Sequence, residues 1–443
     1  MIIAVLLCKL IRAIGRLLGR GSSLPGQIVL KLFPGILSRI RLPDTVIAVS
    51  GSNGKTSTVE MIVHILTENG RTVVWNREGS NQTEGVATTL LCSCTLSGRV
   101  KADVVLLESD ERYARLTFRW FTPTHFVITN LYRDQMTRNG HNEWIYDILA
   151  DAVKEDSCLV LNADDPLVAA FARGHGNTVW YAMDRNPCSV DSLQGRYRDG
   201  VFCPICKHPM VYDYVNYADA GRFRCTHCGH ASGEPRFRVT DVDLPNGRIV
   251  FDGTYPLTLA FRGLHNIYNM LAAYSVACLV GTEPARAAES LSGFVMKNGR
   301  VSTFDVNGRP AMLLISKHEN SVSYNSSIDY VVRSGDPCDV LVMVNAISRK
   351  YYTGETSWLY DIDFERLSAP NVGRIVLCGK YCRDLELRFI LAGLQDRITV
   401  IEDPDRAVAE FSGGDTQLYF ITCFADKARL GQAIRSVTGE EKI

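Results

Sequence analysis

The sequence has no excess charge of either sign and no repetitive or low-complexity tract. Its 443 residues contain 48 Lys and Arg and 48 Asp and Glu, so no overall field attracts the chain to nucleic acid. Apolar residues make up 46% and charged residues 22%, which is the balance of a globular protein. A chain of this length is expected to fold as two or three domains.

The sequence also lacks a recognisable secretory signal. Residues 1–20 begin with apolar side chains, but no small-residue cleavage site follows, and the apolar run is too short to span a membrane. Four basic residues recur every three or four positions along one face of a predicted helix: Lys9, Arg12, Arg16 and Arg20. Two interpretations stay open, namely a helix packed on the protein itself and a basic amphipathic helix on an anionic membrane surface.

Cysteine is plentiful, with fourteen residues. Without a secretory signal we expect a cytoplasmic, reduced protein that uses some of its cysteines to bind a metal rather than to form disulfides. Two C-x-x-C pairs about twenty residues apart have the spacing of a zinc ribbon. We predict a structural zinc site held by Cys203, Cys206, Cys225 and Cys228. A redox C-x-x-C is the alternative, but it needs only one pair. Four thiolates close the shell, so His208, His227 and His230 are not expected to be ligands, and the zinc has no catalytic role.

The remaining pattern alternates short apolar strands with helices, which predicts parallel sheets covered on both faces. Strands are expected near residues 102–108, 125–129 and 157–161, and in a later region near 311–315, 340–344, 375–378 and 418–422. We therefore predict an α/β protein with three parts: an N-terminal helix and linker (1–42), a P-loop-type central domain (43–300) with a zinc ribbon inserted at about 195–235, and a Rossmann-like C-terminal α/β domain (301–443).

The turn at residues 51–57, GSNGKTS, predicts nucleotide binding. It lies between an apolar strand and a helical pattern, where backbone N–H groups at a helix N-terminus can bind phosphate. The lysine would neutralise the β- and γ-phosphates, and the threonine hydroxyl would bind Mg²⁺. Val49 stands where the longer G-x-x-x-x-G-K-[ST] motif has its first glycine, but the shorter G-x-x-G-K-T form keeps the required groups. The predicted ATP-binding residues are Gly51, Ser52, Asn53, Gly54, Lys55, Thr56 and Ser57.

Further motifs follow this turn in a fixed order: LLESDE (106–111), NADDP (162–166), HNIYNMLAA (265–273) and NGRVSTF (298–304). Together they resemble the Mur ligases, which join amino acids or ammonia to carboxylates through acyl phosphates. The resemblance implies that Glu108 binds Mg²⁺, that Asn266 and Asn269 face the adenine, and that Arg300 joins the nucleotide site. Taken singly, Glu108 could simply end a strand, and the asparagine pair could cap or bridge loops.

Other segments resemble the MurT-type Mur ligases, which are the ligase subunits of two-protein lipid II isoglutaminyl synthases. These segments are GRGSSLPG (19–26), NREGSN (76–81), NLYRDQMTRNG (130–140), the four cysteines and SWLYDIDFE (357–365). The nucleotide loop also comes too early to leave room for the substrate-binding domain with which other Mur ligases begin. The resemblance implies peptidoglycan biosynthesis at the inner face of the cell membrane, in a heterodimer with a GatD-type glutaminase.

The implied reaction is ATP-dependent amidation of the α-carboxylate of D-glutamate in the lipid II stem peptide, giving D-isoglutamine. Ammonia would come from glutamine hydrolysed by the partner, since this chain has no G-x-C-x-G motif for a cysteine nucleophile. In the family the ligase subunit lends an acidic residue to the partner's Cys–His pair, and Glu355 stands at that position. Its alternative role is that of a solvated loop residue.

Three motifs depart from the family pattern. Glu355 replaces the usual aspartate, the usual K-N-P-x-G-F-N reads Glu319-Asn-Ser-Val-Ser-Tyr-Asn325, and the usual N-D pair reads Asn345-Ala346. Two other functions therefore stay open: a ligase that adds an amino acid instead of ammonia, and a nucleotide-binding scaffold without catalysis. The intact Lys55, Thr56 and Glu108 favour a ligase over a scaffold.

Overall fold

The computed structural model describes residues 1–443 except 18–21, 78–79, 197, 297–300, 348–353, 412–413 and 440–443. The chain forms two compact units. The first consists of Met1–Leu131, Glu143–Leu193 and Asp199–Met296, and the second of Tyr132–Asn142, Gln194–Arg198 and Lys297–Ile443. The two short segments of the second unit, 132–142 and 194–198, lie inside the predicted central domain (43–300) along the sequence.

Fourteen α-helices are defined in the described residues. They are α1 (Ile2–Leu17), α2 (Leu24–Leu32), α3 (Lys55–Glu68), α4 (Thr83–Ser93), α5 (Ala114–Phe118), α6 (Met136–Asn139), α7 (Asn142–Ala150), α8 (Pro166–Ala169), α9 (Leu264–Leu279), α10 (Pro284–Leu291), α11 (Ser321–Ser334), α12 (Cys382–Leu391), α13 (Pro404–Phe411) and α14 (Lys427–Thr438).

The same part of the chain contains seventeen strands. They are β1 (Thr45–Ser50), β2 (Val73–Trp75), β3 (Val104–Glu108), β4 (His125–Ile128), β5 (Cys158–Asn162), β6 (Thr178–Met183), β7 (Met210–Tyr217), β8 (Ala220–Cys225), β9 (Phe237–Asp243), β10 (Arg248–Phe251), β11 (Tyr255–Thr258), β12 (Val301–Val306), β13 (Arg309–Ser316), β14 (Cys338–Met343), β15 (Val372–Cys378), β16 (Ile398–Ile401) and β17 (Gln417–Cys423).

The first unit is built on a nine-stranded sheet in the order β11-β10-β9-β6-β5-β4-β1-β3-β2. Seven of its strands pair in parallel, in the sheet order β2, β3, β1, β4, β5, β6 and β9. Beyond β9, the strands β10 and β11 extend the sheet in antiparallel pairing. Strand β1 is apolar along almost its whole length because helices cover both faces. Ile47 and Val49 pack in the core with α3 and α9, whereas Val46 and Ala48 pack on the other face with α2 and α4.

The second unit has a six-stranded sheet in the order β12-β13-β17-β14-β15-β16, parallel except for the antiparallel edge pair β12–β13. The four strands predicted in this region correspond to β13, β14, β15 and β17. Helices α11 and α12 pack with one core cluster, and α13 and α14 with another on the opposite face. The predicted fold class, two α/β sheets with an inserted cysteine ribbon, is confirmed.

Helix α1 packs against α2 and α4 of the first unit. Its side chains Ala4, Val5 and Cys8 are buried, and the Lys9 ammonium donates to the carbonyl of Cys94 at 2.8 Å. The helix is therefore part of the folded unit. No helix in the described part of the chain has both the length and the apolar character needed to cross a bilayer. Arg20, the last residue of the predicted basic face, lies outside the described residues.

Candidate active site

The predicted phosphate loop lies at the carboxyl edge of the first sheet, between β1 and α3. Gly51 has φ of +134° and Gly54 has φ of +82°, which a side chain disfavours. A Cβ on Gly54 would also come within 2.0 Å of the Asn269 side-chain oxygen. Both glycines are therefore required by the backbone of the loop that leads into α3, and the N-terminus of a helix is a place where N–H groups can bind an anion.

Residues that follow β4 hold this loop in place. Asn130 accepts the Asn53 N–H at 2.8 Å through its side chain and the Ser52 N–H at 2.8 Å through its carbonyl. The hydroxyl of Thr129 donates to the Asn53 carbonyl at 2.8 Å. The loop is thus held in shape, because residues that follow β4 satisfy backbone polar groups of Ser52 and Asn53.

Lys55 is the first residue of α3, and its ammonium is buried. It lies 2.6 Å from the Glu111 carboxylate, with side-chain exposures of only 9% and 6%, and it also donates to the Gly51 carbonyl. The position over the loop fits the predicted phosphate-binding role. The ion pair with Glu111 is an addition to the predicted site, and the carboxylate offsets the cost of burying the Lys55 cation.

Thr56 and Glu108 meet as predicted for a Mg²⁺ site. The Thr56 hydroxyl donates to Glu108 Oε2 at 2.9 Å, and Asn81 donates to Oε1 at 3.0 Å. Asn76 fixes the end of β3 by accepting the Glu108 N–H at 2.9 Å and donating to its carbonyl at 2.8 Å. A carboxylate and a hydroxyl at one point are the hard oxygen donors that Mg²⁺ prefers, so these residues fit the ion.

Several residues of this site were not assigned from the sequence. Glu111 lies in the LLESDE run, and Asn76 and Asn81 lie in the NREGSN run, so both segments were singled out as motifs. Their pairings with Lys55 and Glu108 depend on the alignment of β3 beside β1, where Val49 pairs with Glu108. That register is not encoded in local spacing.

Asn266 and Asn269 lie one helical turn apart on α9, and both are buried. Asn269 packs against Gly54, which places this face of the helix beside the phosphate loop. The Asn266 side-chain oxygen has no hydrogen-bond partner among the described residues, and a buried acceptor without a donor is costly. An exocyclic amino group such as that of adenine would satisfy it, which supports the prediction. Arg300, the remaining predicted nucleotide residue, lies outside the described residues.

The NADDP run supports the site structurally. Asp165 caps α8 by accepting the N–H groups of Leu167 and Val168 at 3.0 Å each. Asp164 accepts the Tyr268 hydroxyl at 2.8 Å and the Met183 N–H at 2.9 Å, which ties α9 to β6. Burial raises the pKa of Asp164 to about 7 and that of Asp165 to about 6. Asp164 therefore helps to position the helix that carries Asn266 and Asn269, whereas Asp165 stabilises the start of α8.

The four predicted cysteines converge at one point. Cys203 Sγ lies 3.6 Å from Cys228 Sγ, Cys206 Sγ lies 3.5 Å from Cys225 Sγ, and all four sulfurs are within 4.8 Å of one another. Two sulfurs bound to one zinc in a tetrahedral site are about 3.8 Å apart. The cluster therefore has the dimensions of a four-thiolate zinc site.

The two cysteine turns share one backbone design. Cys203 N–H donates to the His208 carbonyl at 2.8 Å, and Cys225 N–H donates to the His230 carbonyl at 2.7 Å. Each turn contains one residue with positive φ, Lys207 at +62° and Gly229 at +75°. In the second turn the N–H groups of Cys228 and His227 lower the pKa of Cys225 to about 6, although burial opposes them. A low thiol pKa favours the thiolate that binds metal.

The histidines near the cluster have other contacts. His208 and His227 stack on each other with ring centroids 3.9 Å apart. The ring of His230 bonds to the Pro166 carbonyl at 2.8 Å, which anchors the ribbon to the start of α8. Cys206, His208 and His227 also have side-chain atoms within 4.8 Å of one another, but four sulfurs already complete a tetrahedral shell.

The second unit contains a polar cluster around the altered 319–325 motif. The Glu319 carboxylate accepts the Thr137 N–H at 2.8 Å and its hydroxyl at 2.7 Å. Lys317 forms an ion pair with Asp134, and the Asn320 side chain donates to Asp134 at 3.1 Å. Burial raises the pKa of Glu319, and the nearby Asp134 and Glu355 raise it further. Glutamate at position 319 thus binds the 132–142 segment.

Glu355 is exposed at the start of a 3-10 helix (Ser357–Asp361). Its carboxylate accepts the Ser357 N–H at 2.7 Å, and these hydrogen bonds from Ser357 keep the pKa of Glu355 below its usual value. The side chain is therefore ionised and accessible. At the other altered pair, Asn345 and Ala346 both donate their N–H groups to Asp426, at 2.7 and 3.1 Å.

Comparisons with known proteins agree with this arrangement. The family model described as Mur ligase middle domain matches residues 49–196, and the model described as MurT ligase C-terminal matches residues 318–425. The chain is 29% identical, over 92% of its length and 91% of the relative, to the lipid II isoglutaminyl synthase (glutamine-hydrolyzing) subunit MurT of Staphylococcus aureus strain COL. It is also 29% identical to the same subunit of Streptococcus pneumoniae strain R6, over 91% and 90% of the two chains.

Solved structures show the same fold. A pseudomurein peptide ligase type C from Methanothermus fervidus superposes with a TM-score of 0.68 at 20% identity, covering 90% of this chain and 80% of that one. MurF ligase from Thermotoga maritima in complex with ADP gives a TM-score of 0.60 at 15% identity, covering 94% and 84%. The two matching models, the full-length relatives and the shared fold identify the chain as a member of the Mur ligase family, of the MurT type.

Proposed function

We propose that the chain is the ligase subunit of a lipid II isoglutaminyl synthase. Relatives with that name align over nine-tenths of their length and of this chain. The observation that carries the proposal is the convergence of Lys55, Thr56 and Glu108 at the N-terminus of α3. A glycine-rich anion site with a lysine and a hard-cation pair is the equipment of phosphoryl transfer from ATP.

In the proposed reaction, a carboxylate oxygen of the D-glutamate residue attacks the γ-phosphorus of ATP, and ADP leaves. The acyl phosphate then reacts with ammonia at its carbonyl carbon. The C–N bond forms and the C–O bond to phosphate breaks. The nitrogen loses one proton, which the released phosphate takes up, so the products are the neutral amide of D-isoglutamine and inorganic phosphate. The energy of one phosphoanhydride bond thus drives formation of an amide from a carboxylate.

Each residue of the loop has a defined part in this scheme. The glycines let the backbone approach the phosphates, and Lys55 moves from Glu111 to neutralise charge that develops on the transferred group. Thr56 and Glu108 would hold Mg²⁺, which screens the phosphate oxygens when bound. Asn266 and Asn269 would orient the adenine from α9.

The ammonia is proposed to come from a GatD-type glutaminase subunit. Two observations support this proposal. The names of the relatives include a glutamine-hydrolyzing activity, and Glu355 is accessible and ionised. An acidic third group holds a catalytic histidine in the correct tautomer. Glu355 is proposed to supply that group across the interface. The four-cysteine cluster is proposed to hold a structural zinc ion.

The test is an amidation assay with lipid II, ATP and ammonium, using the chain copurified with its glutaminase. Amide formation is read by mass spectrometry of the stem peptide, and ADP release by a coupled assay. We expect Lys55→Ala and Glu108→Gln each to lower the rate at least about 100-fold, with the exposed Lys101→Ala as a matched control at wild-type rate. ATP-independent amidation, or near-normal rates for both variants, would refute the site. Incorporation of an amino acid in place of ammonia would establish the amino-acid-adding alternative.

A further inference from the structure

The outer face of α1 is apolar from end to end. Its packed face consists of Ala4, Val5, Cys8 and Gly15. The opposite face carries six large aliphatic side chains that are 51–87% exposed, and we call them the apolar stripe: Ile2, Ile3, Leu6, Leu10, Ile14 and Leu17. From Ile3 onward they are spaced three and four residues apart, and Ile2 precedes them, which places all six on one side of the helix. Single exposed leucines are ordinary, but a continuous patch of this kind marks a surface that contacts another phase or molecule.

Basic residues border the apolar stripe along one edge. Lys9, Arg12 and Arg16 occupy the strip between the packed face and the exposed face, and Lys9 and Arg16 are exposed. The imbalance extends beyond the helix. Residues 1–43 contain no Asp or Glu, and they contain seven basic residues: Lys9, Arg12, Arg16, Arg20, Lys31, Arg39 and Arg41. The chain as a whole is electrically balanced, so positive charge is concentrated in the segment that carries the stripe.

An apolar face bordered by basic residues is complementary to an anionic membrane surface, in which an apolar acyl region lies beneath a layer of charged headgroups. Aliphatic side chains can enter the acyl region, while Lys and Arg extend to the phosphates of the headgroups. A helix of 16 residues cannot span the bilayer, but it can lie in the interface plane. Another protein would satisfy the apolar stripe, yet the absence of any acidic residue in residues 1–43 favours a continuous anionic surface.

We propose that α1 is an interfacial membrane-binding helix, which inserts the apolar stripe into the outer acyl region of an anionic bilayer. Because α1 packs on α2 and α4, it would hold the first unit at the bilayer as a fixed body. This binding is independent of the ligase reaction proposed above and requires only anionic lipid.

The experiment is co-sedimentation of the full chain, purified without detergent, with vesicles that contain no lipid II. One set is made of phosphatidylglycerol and phosphatidylethanolamine, and the other of phosphatidylcholine alone. The wild-type chain is expected to bind the anionic vesicles and to lose binding as salt increases. The triple variant Leu6→Gln, Leu10→Gln, Ile14→Gln is expected to lower the partition coefficient at least about 100-fold. Lys9→Gln with Arg16→Gln is expected to lower it about 25-fold, at about five-fold per charge.

The matched control is a triple variant on α12, where Leu387, Ile390 and Leu391 are also exposed. Changing these three residues to Gln alters surface apolarity by the same amount and should leave the partition coefficient unchanged. Equal melting temperatures and circular dichroism spectra confirm that all variants fold.

Three results would overturn the proposal. One is equal binding by the wild-type chain and the α1 triple variant, and another is equal loss of binding by the α12 variant. The third is a wild-type chain that fails to bind vesicles but self-associates in sedimentation velocity, while the α1 variant is monomeric. That outcome would assign the apolar stripe to a second copy of the chain. None of these results depends on whether the chain amidates lipid II.

Discussion

Removal of the proposed zinc is expected to unfold the cysteine ribbon rather than to slow catalysis directly. Few large apolar residues are buried there; Val215 and Phe223 are each 3% exposed. Full burial of one such side chain contributes about 1.5–3 kcal/mol. A structural zinc site contributes about 10–16 kcal/mol in small zinc-binding peptides at neutral pH. The metal is therefore the larger contribution, and two buried apolar side chains do not replace it.

The variant Cys206→Ser removes one of the four thiolates. The remaining three should hold zinc less tightly, and the ribbon should open locally. Damage is expected to reach the start of α8, because His230 bonds to the Pro166 carbonyl at 2.8 Å and the Gly221 N–H donates to the Asp164 carbonyl at 2.9 Å. Low solubility, or cleavage within residues 199–233, should thus accompany the loss of metal.

The assay combines elemental analysis with limited proteolysis read by mass spectrometry. Wild-type protein should contain one zinc per chain and resist cleavage in the ribbon, and a strong chelator should reproduce the behaviour of Cys206→Ser. Cys188→Ser, which changes a half-buried cysteine outside the cluster, is the control and should retain the zinc. The reasoning is refuted if protein purified without chelator contains no zinc, or if Cys206→Ser resists the protease as wild type does.

Three further predictions concern Lys55, Glu355 and Asp164. Lys55→Ala should abolish ATP turnover and also lower the free energy of unfolding by about 3–5 kcal/mol, because it removes the cation beside the buried Glu111 carboxylate. Adding Glu111→Gln should recover urea resistance but not turnover, and recovered turnover would contradict the role of Lys55. Glu355→Gln, assayed with the glutaminase bound, should lower glutamine-driven amidation by up to about 10⁴-fold and preserve ammonium-driven amidation, with Glu386→Gln as the control. Loss of both activities would place Glu355 in the ligase reaction or the fold, and retention of both would leave it a surface residue. Asp164→Asn should remove a pH dependence of the free energy of unfolding. The pKa of Asp164 is raised from 3.8 to about 7 in the folded state, so the carboxyl stays protonated to a higher pH there than in the unfolded chain. The free energy of unfolding therefore falls as pH rises between these two pKa values, by about 1.4 kcal/mol per pH unit. The difference in urea midpoint between wild type and variant should therefore change between pH 4.5 and 7.5, and a constant difference would contradict the shift.

The sequence alone was sufficient to predict those parts of the site whose geometry is set by the spacing of nearby residues. The loop at 51–57 and the two C-x-x-C turns each place their groups within one turn, so residue types at fixed intervals define the geometry. The partners of Lys55 and Glu108 could not be found in this way. Glu111 and Asn81 reach them only because β3 lies beside β1, and strand order is a property of the whole sheet.

The N-terminal helix shows a second limit of sequence reasoning. Periodicity identified the basic edge of α1, but apolar residues occupy both the packed face and the exposed face of the helix. Which apolar face packs on α2 and α4 depends on tertiary contacts, and the apolar stripe is visible only once Ala4, Val5 and Cys8 are seen to be buried. The 132–142 segment is similar, because its hydrogen bonds to Glu319 assign it to the second unit although it lies within the central domain along the sequence.

The buried contact between Lys55 and Glu111 places a carboxylate beside the cation of the loop. In the function proposed above, nucleotide binding would be an exchange, in which a phosphate replaces a carboxylate that lies 2.6 Å from the lysine. A free inorganic anion has little advantage over that carboxylate, whereas a nucleotide brings additional contacts through its base and its metal. With the nucleotide site as proposed, the ion pair would favour a ligand that binds at several points at once over a free phosphate or sulfate ion.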